Sequence, residues 1–283
     1  MDMAKTDMDK LHTIGETAKI CGVSRKTLRF YEELGLLIPD YVSPDNGYRY
    51  YSDDTLNTVP ILKYYKQMGF HLQEMNGVGD TCDCFFHERN FLTKLDELKK
   101  EERELQNRYQ SIYDWVGMLH EGNMAVENGL SSITLKYVEQ EQYYSLEQDF
   151  KYDYKDSIIN LPWINHLEEN GSAITGPVIL SFDNYQDKAA GTISRASIMQ
   201  KPVRNDPHRI PTIDFGGQMY LCTYNVGAPD TSASKYHDLE VWADDHGYQL
   251  GSECYERYLV DYWATKDENS FVCEIMIPAE KIS

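Results

Sequence analysis

An α+β chain in three parts is what the sequence predicts. An N-terminal winged helix-turn-helix leads into a long dimerising coiled-coil helix, and a C-terminal duplicated strand-helix-strand-strand ligand-binding domain follows. Three observations predict it. Residues 13–75 run through short capped helical stretches around Asp45-Asn46-Gly47, a strong hairpin signal. Residues 91–119 hold an apolar repeat of about 3.5 residues. Beyond residue 130 strand-like alternation takes over, and one order of elements occurs twice. The parts are drawn at 1–75, 76–120, a Gly/Asn/Glu-rich linker at 121–130, and 131–283.

Length and composition constrain what these parts do. The 283 residues carry 27 Lys+Arg against 46 Asp+Glu, a net charge of −19, which taken whole argues against binding nucleic acid. The charge is uneven. Residues 1–75 hold 9 basic and 11 acidic side chains, whereas residues 131–283 hold 12 and 24, so the acid excess sits mainly in the second half. No apolar run approaches the roughly 20 residues that span a bilayer. The polar stretch Met1 to Lys10 has no signal-peptide core, and six scattered cysteines read as reduced thiols, so a cytoplasmic protein is predicted.

In the first part, Gly22-Val23 makes a turn between two short helices and Ser24 is a good N-cap for the second. Arg25, Lys26 and Arg29 crowd the start of that helix, with Ser24, Thr27 and Tyr31 beside them. This is the layout of a helix-turn-helix whose second helix enters the major groove amino end first. A generic helical hairpin with a solvated basic face is the alternative. The hairpin that follows supports the first reading, because it forms a wing on which Tyr48, Arg49 and Tyr51 reach phosphate or the minor groove. A second helix pair offers Lys63 and Lys66. Pro60 predicts that its first helix starts late, capped by Asn57 or Thr58, or is kinked.

These residues resemble the MerR family of transcription regulators. The resemblance is carried by Ile14-Gly15-Glu16, Ala18, Val23-Ser24, Thr27-Leu28-Arg29-Phe30-Tyr31-Glu32, Gly35-Leu36-Leu37, Asn46-Gly47-Tyr48-Arg49 and Gly69-Phe70. It implies contacts to double-stranded promoter DNA from the second helix, the wing and the second helix pair. It also implies a regulator that distorts promoter DNA for RNA polymerase.

The middle part places Phe91, Leu95, Leu98, Leu105, Tyr109, Ile112, Val116 and Leu119 at alternating spacings of four and three, with Glu102 in the one gap. That seam predicts a coiled coil and hence a homodimer. The resemblance implies an antiparallel pair of such helices. Cys82, Cys84 and His87 have metal-ligand chemistry but no evident fourth ligand, and they read as small side chains at a helix junction rather than a metal site.

In the last part a β-rich run at 133–150, a helical run at 153–170 and strands at 174–182 and 191–199 are followed by the same order. The second set is a strand at 213–225, a helix at 232–246 and strands at 254–262 and 271–277. Alternation puts Glu256 with Tyr258, and Glu274 with Met276, among apolar neighbours. A buried carboxylate is costly unless it is paired or takes up a proton; a cationic ligand held by tyrosine faces would supply the charge, the alternative being that the aromatics fill the core and the glutamates bind local donors. Candidate ligand-binding residues are Glu256, Tyr258, Glu274, Met276, Tyr220, Tyr224, Tyr152 and Trp163. Tyr255-Glu256-Arg257-Tyr258-Leu259, Glu274 and the Trp242 helix with its Gly247-Tyr248 exit resemble the GyrI-like effector-binding domain of multidrug-responsive MerR regulators. That implies a lipophilic, cationic small-molecule partner and no cofactor. Two rivals stand beside it: a small-molecule hydrolase using the two carboxylates as acid and base, and a regulator whose last domain binds a protein. With no nucleophile–base–orienter set in the sequence, a non-enzyme is predicted.

Overall fold

The computed structural model describes residues 11–78, 84–129, 132–203 and 210–282, which fall into two compact units divided at Glu102. The first unit opens with β1 (Leu11–Thr13), α1 (Ile14–Cys21) and α2 (Arg25–Glu33). Thr13 and Glu16 form a reciprocal capping box on α1, and the Ser24 hydroxyl accepts the Thr27 amide at 3.0 Å to start α2. The wing is β2 (Tyr41–Val42) and β3 (Arg49–Ser52), and β3 lies between β1 and β2. Its turn is closed by the Gly47 amide on the Ser43 carbonyl and the Tyr48 amide on Asn46 Oδ1.

Next comes α3 (Asp53–Gln67), and here the structure departs from expectation. The helix does not wait for Asn57 or Thr58: Ser52 caps it, with Asp53 and Asp54 in its first turn, where acidic groups complement the helix dipole. Pro60 sits in the interior and removes the amide that would bond the Leu56 carbonyl. The Cys21 thiol faces that carbonyl at 3.9 Å and partly replaces the lost donor. Leu28, Tyr31, Tyr51, Leu62, Tyr65 and Phe70 are in the core of this unit.

The long helix α4 (Cys84–Glu127) is continuous through residues 121–127, so the linker expected there is corrected. The reason is packing: Met118 and Ala125 bury against Leu259 and Val272, and Gly122 brings the helix so close that a Cβ there would lie 2.6 Å from Val260 Cγ2. The expected seam also shortens at its amino end. Phe91 packs on the Tyr65 and Phe70 rings of its own unit, 5.2 and 6.1 Å away. From Leu95 to Val116 the stripe is open, with Leu105, Ile112 and Val116 60–66 % exposed.

The second unit is one antiparallel sheet of β4 (Thr134–Val138), β5 (Glu141–Asp149), β6 (Ile174–Phe182), β7 (Arg195–Pro202), β8 (Thr212–Phe215), β9 (Gln218–Val226), β10 (Tyr248–Leu250), β11 (Cys254–Val260) and β12 (Val272–Lys281). Their order is β4-β9-β12-β11-β6-β7-β5-β8, with β10 on β12. The duplication is visible in that order: β5-β7-β6 and β9-β12-β11 are the same three-strand pattern, joined where β6 meets β11. The strand before each pattern crosses over, β4 pairing with β9 and β8 with β5. The expected strand at 213–225 is interrupted by Gly216-Gly217, both at positive φ; a Cβ on Gly216 would meet the Glu139 carbonyl at 2.1 Å.

One face of the sheet is covered by α5 (Tyr154–Ile158), α6 (Leu161–Glu169), α7 (Tyr185–Ala189) and α8 (Ala233–His246). The helical run expected at 153–170 divides into α5 and α6 because Asn160 caps a new helix by accepting the Trp163 amide and Pro162 occupies its first turn. The main core lies between these helices and the sheet. On the opposite face Ile179, Met199, Phe215, Tyr220, Tyr255 and Met276 cluster, and the end of α4 packs beside them on Leu259 and Val272.

Candidate nucleic-acid interface and ligand cleft

Most of the basic residues named for DNA contact in the first unit are exposed. Arg25, Lys26 and Arg29 are exposed along the first turns of α2, Tyr48 is exposed at the wing, and Lys63 and Lys66 are exposed on α3. Ser24 and Thr27 are bonded to each other at 2.8 Å, so their first role is to define the helix start. Arg49 is turned inward in part: its Nε bonds both Glu32 carboxylate oxygens, at 2.6 and 2.7 Å, tying the wing to α2. Lys63 donates to the Cys21 carbonyl at the end of α1, a favourable place for a cation. Tyr31 and Tyr51 are corrected as contact residues. Tyr31 follows Leu28 by three residues on the buried side of α2, Tyr51 points inward from β3 with 0 % exposure, and neither ring reaches the surface.

At the junction, Cys84 is exposed, and Cys82 lies outside the described residues. His87 Nδ1 is 2.5 Å from the Tyr65 hydroxyl and its ring packs on Phe86 and Phe91, so His87 has a structural place in this unit.

In the second unit the predicted ligand residues divide between the two sheet faces. Glu256 pairs across the ladder with Ile275, whereas Glu274 pairs with Arg257 and Met276 with Tyr255. Cross-strand partners share a face, so Glu256 and Tyr258 point toward the helices and Glu274 and Met276 point away from them. Tyr152 and Trp163 belong to the first group, and Tyr220 and Tyr224 to the second. A single site built from all eight residues is therefore excluded.

Glu256 also has its counter-charge already. Lys188, on α7, reaches Glu256 Oε1 at 2.7 Å, and the two side chains are 2 % and 1 % exposed. The Tyr236 and Tyr258 hydroxyls donate to the same carboxylate at 2.8 and 2.6 Å. Burial acts to depress the Lys188 ammonium, but the charge of Glu256 outweighs it and holds the group above its usual range. The favoured expectation that a cationic ligand supplies the charge at Glu256 is overturned in favour of the local-donor alternative: Lys188 comes from α7, a five-residue helix that the sequence pattern did not show.

On the far face Glu274 is held from both sides. Arg257 Nε donates to Glu274 Oε2 at 2.7 Å, and Lys136 donates to the other oxygen. Burial acts to raise the Glu274 carboxyl, and the two cations outweigh it and hold it below the ordinary 4.5. Arg257 also pairs with Glu121 of α4, and the Tyr224 hydroxyl donates to Glu121 at 2.7 Å. Beside this network a cleft of about 250 Å³ opens between α4 and the sheet, lined by Tyr113, Asp114, Met118, Glu121, Glu141, Tyr143, Lys201 and Arg257. Gln110 Nε2 donates to Asp114 Oδ1 at 2.7 Å, Asp114 Oδ2 is buried at this cleft with no hydrogen-bond partner among the described residues, and burial pushes the Tyr143 hydroxyl up to about 12. Aromatic faces and a carboxylate oxygen in want of a donor suit a cation better than an anion. The cleft residues on α4 were missed in the sequence because they fall between seam positions of a helix read as purely dimerising.

Two family models match different stretches of the chain. Residues 13–51 match the MerR family regulatory protein model, and residues 100–280 match the GyrI-like small molecule binding domain model. The chain is 25 % identical to the multidrug-efflux transporter 2 regulator of Bacillus subtilis over 292 residues, covering 98 % of this chain and 99 % of that one. It is 40 % identical to the multidrug-efflux transporter 1 regulator of the same organism over 72 residues, 25 % of this chain and 26 % of that one. Among solved structures, the cryo-EM structure of an EcmrR–DNA complex in EcmrR-RPo is 24 % identical over 96 % of this chain and 100 % of that one, with a TM-score of 0.47.

Proposed function

Because this chain belongs to the GyrI-like small molecule binding family and is a MerR-family DNA-binding transcription regulator, we propose that it is a cytoplasmic, homodimeric activator answering lipophilic cations in the cleft between α4 and the sheet. The observation that carries this reading is the unpartnered Asp114 oxygen beside Tyr113 and Tyr143. The −12 charge of residues 131–283 raises the local concentration of cations.

The route to DNA runs through α4. A cation in the cleft competes with Arg257 for Glu121 and so loosens or re-seats the last turns of that helix. Only a difference in affinity between the two placements of α4 converts binding into a signal. Bending or untwisting a promoter for RNA polymerase costs on the order of 1–6 kcal/mol, which sets the scale of the coupling required. The open stripe from Leu95 to Val116 is the dimer seam, and two copies would present two recognition helices to a two-fold operator. The hydrolase alternative loses its main support, since the two carboxylates lie on opposite faces and each is clasped by basic side chains.

Calorimetry on the full-length protein tests the site with tetraphenylphosphonium and neutral triphenylphosphine oxide. Asp114→Asn is expected to weaken the cation about tenfold, roughly 1.4 kcal/mol, and the neutral compound hardly at all. Equal losses for both, or no loss for either, would sink the assignment.

A further inference from the structure

The surroundings of Lys188 are those of an ammonium receptor with the ammonium already inside. Its Nζ lies 4.9 Å from the Phe182 ring centroid, 5.4 Å from those of Tyr154 and Tyr236, 5.8 Å from Tyr152 and 5.9 Å from Phe150. Glu256 sits at 2.7 Å, and the Tyr154 hydroxyl accepts a bond at 3.0 Å. Rings that present their faces to one cation, closed by one carboxylate, form the cage by which proteins recognise ammonium ligands. A lysine placed only to neutralise Glu256 needs the carboxylate, but it does not need five rings.

We propose that this cage is a primary-alkylammonium site whose occupant is covalently attached, and that Lys188 is the residue that closes this face of the sheet to soluble cations. Three features support it. The occupant enters from α7, one short helix between β6 and β7, while the cage itself is built by other elements: Glu256 on β11, Tyr236 on α8, Tyr154 on α5 and Phe182 on β6. Glu256 is fully satisfied only with the ammonium present, because its two tyrosine donors bring no charge. The cage members are also largely closed to solvent, so a free cation competes with a tethered one at high effective concentration. The inference is independent of the ligand proposed for the α4 cleft, which lies on the opposite face.

Replacing lysine by alanine deletes three carbons and a nitrogen, the atoms of n-propylammonium. The test compares the full-length wild type with Lys188→Ala by thermal melting in n-propylammonium chloride, in 1-propanol as the neutral isostere, and in sodium chloride at equal ionic strength. Lys188→Ala is expected to melt lower than wild type and to recover by about 5 °C in tens of millimolar propylammonium, with no recovery in propanol or sodium chloride and no response of the wild type. A wild type that responds as strongly, or a variant that responds equally to propanol or to nothing, overturns the proposal. Should Lys188→Ala not accumulate folded, it is refolded from denaturant with and without propylammonium. Recovery of near-ultraviolet circular dichroism only with the ammonium supports the proposal, and recovery in neither condition overturns it. The double variant Lys188→Ala with Glu256→Gln is expected to lose the ammonium response; a retained response overturns the role of the carboxylate.

Discussion

Glu256 and Glu274 are two strands' worth of the same pattern, yet they differ in what their neighbours allow. Among the described residues Glu256 has one cationic partner, Lys188, so removing its charge strands a buried ammonium. Breaking a buried pair from one side costs about 3–5 kcal/mol, and Glu256→Gln is expected to fall in that range by urea unfolding followed through aromatic fluorescence. Adding Lys188→Met should return more than half of the loss, because a pair replaced by apolar or neutral groups leaves nothing unpaired. Glu274 makes a different prediction, one of pH. Its folded-state carboxyl is held below 4.5, so its contribution is complete above that pH and fades as the pH falls toward the lowered value. Glu274→Gln should therefore flatten the acid limb of stability below about pH 4.5 while lowering stability near neutrality. An unchanged acid limb would mean that Arg257 and Lys136 do not hold the carboxyl down.

At the scale of elements, α4 makes the sharpest demand. Alanine at Gly122 gains about 1 kcal/mol of helix propensity, but its Cβ would sit 2.6 Å from Val260 Cγ2, a short, stiff side chain. Overpacking typically costs about 1–3 kcal/mol, so Gly122→Ala is expected to destabilise on balance and to weaken the response to ligand, read by calorimetry and promoter footprinting. Legibility also varies by element. The caps at Ser24 and the wing turn were readable because side chains three or fewer residues apart decide them. The start of α3 is not legible from Pro60: Ser52 and its two following aspartates decide it, and the Cys21 thiol that faces the freed carbonyl is remote in sequence. The face of each glutamate was readable from alternation alone, but Lys188 was not, since its helix has five residues and no periodicity to detect. Alternation ranks the residues along one strand; it does not say which face of one strand continues which face of another, so it does not separate the Glu256 cluster from the Glu274 cluster.

For the whole molecule, the net charge of −19 is compatible with DNA binding because the acid excess sits mainly in residues 131–283, while Arg25, Lys26 and Arg29 are exposed together on the first turns of α2. Arg25→Ala and Arg29→Ala are each expected to weaken operator binding and to reduce the salt slope of log K by about 1, with tetraphenylphosphonium affinity unchanged. Replacing Leu105 and Ile112 together by lysine should convert the dimer to monomer in sedimentation and abolish operator binding at concentrations where the wild type binds. A monomer in the wild type would remove the seam from the account. The reciprocal crossing of β4 and β8 has a consequence for how such a chain is made. Lys136 has its ladder partner in Tyr220, so at roughly 5–20 residues per second a ribosome leaves β4 waiting about 4–17 s before the strand it pairs with has been synthesised. Neither repeat can be completed by its own sequence, and the domain becomes foldable late, when nearly all of its carboxy-terminal half has emerged. A nascent chain stalled near residue 210 should accordingly be protease-sensitive from β4 onward, however well folded the wing and helices before it already are.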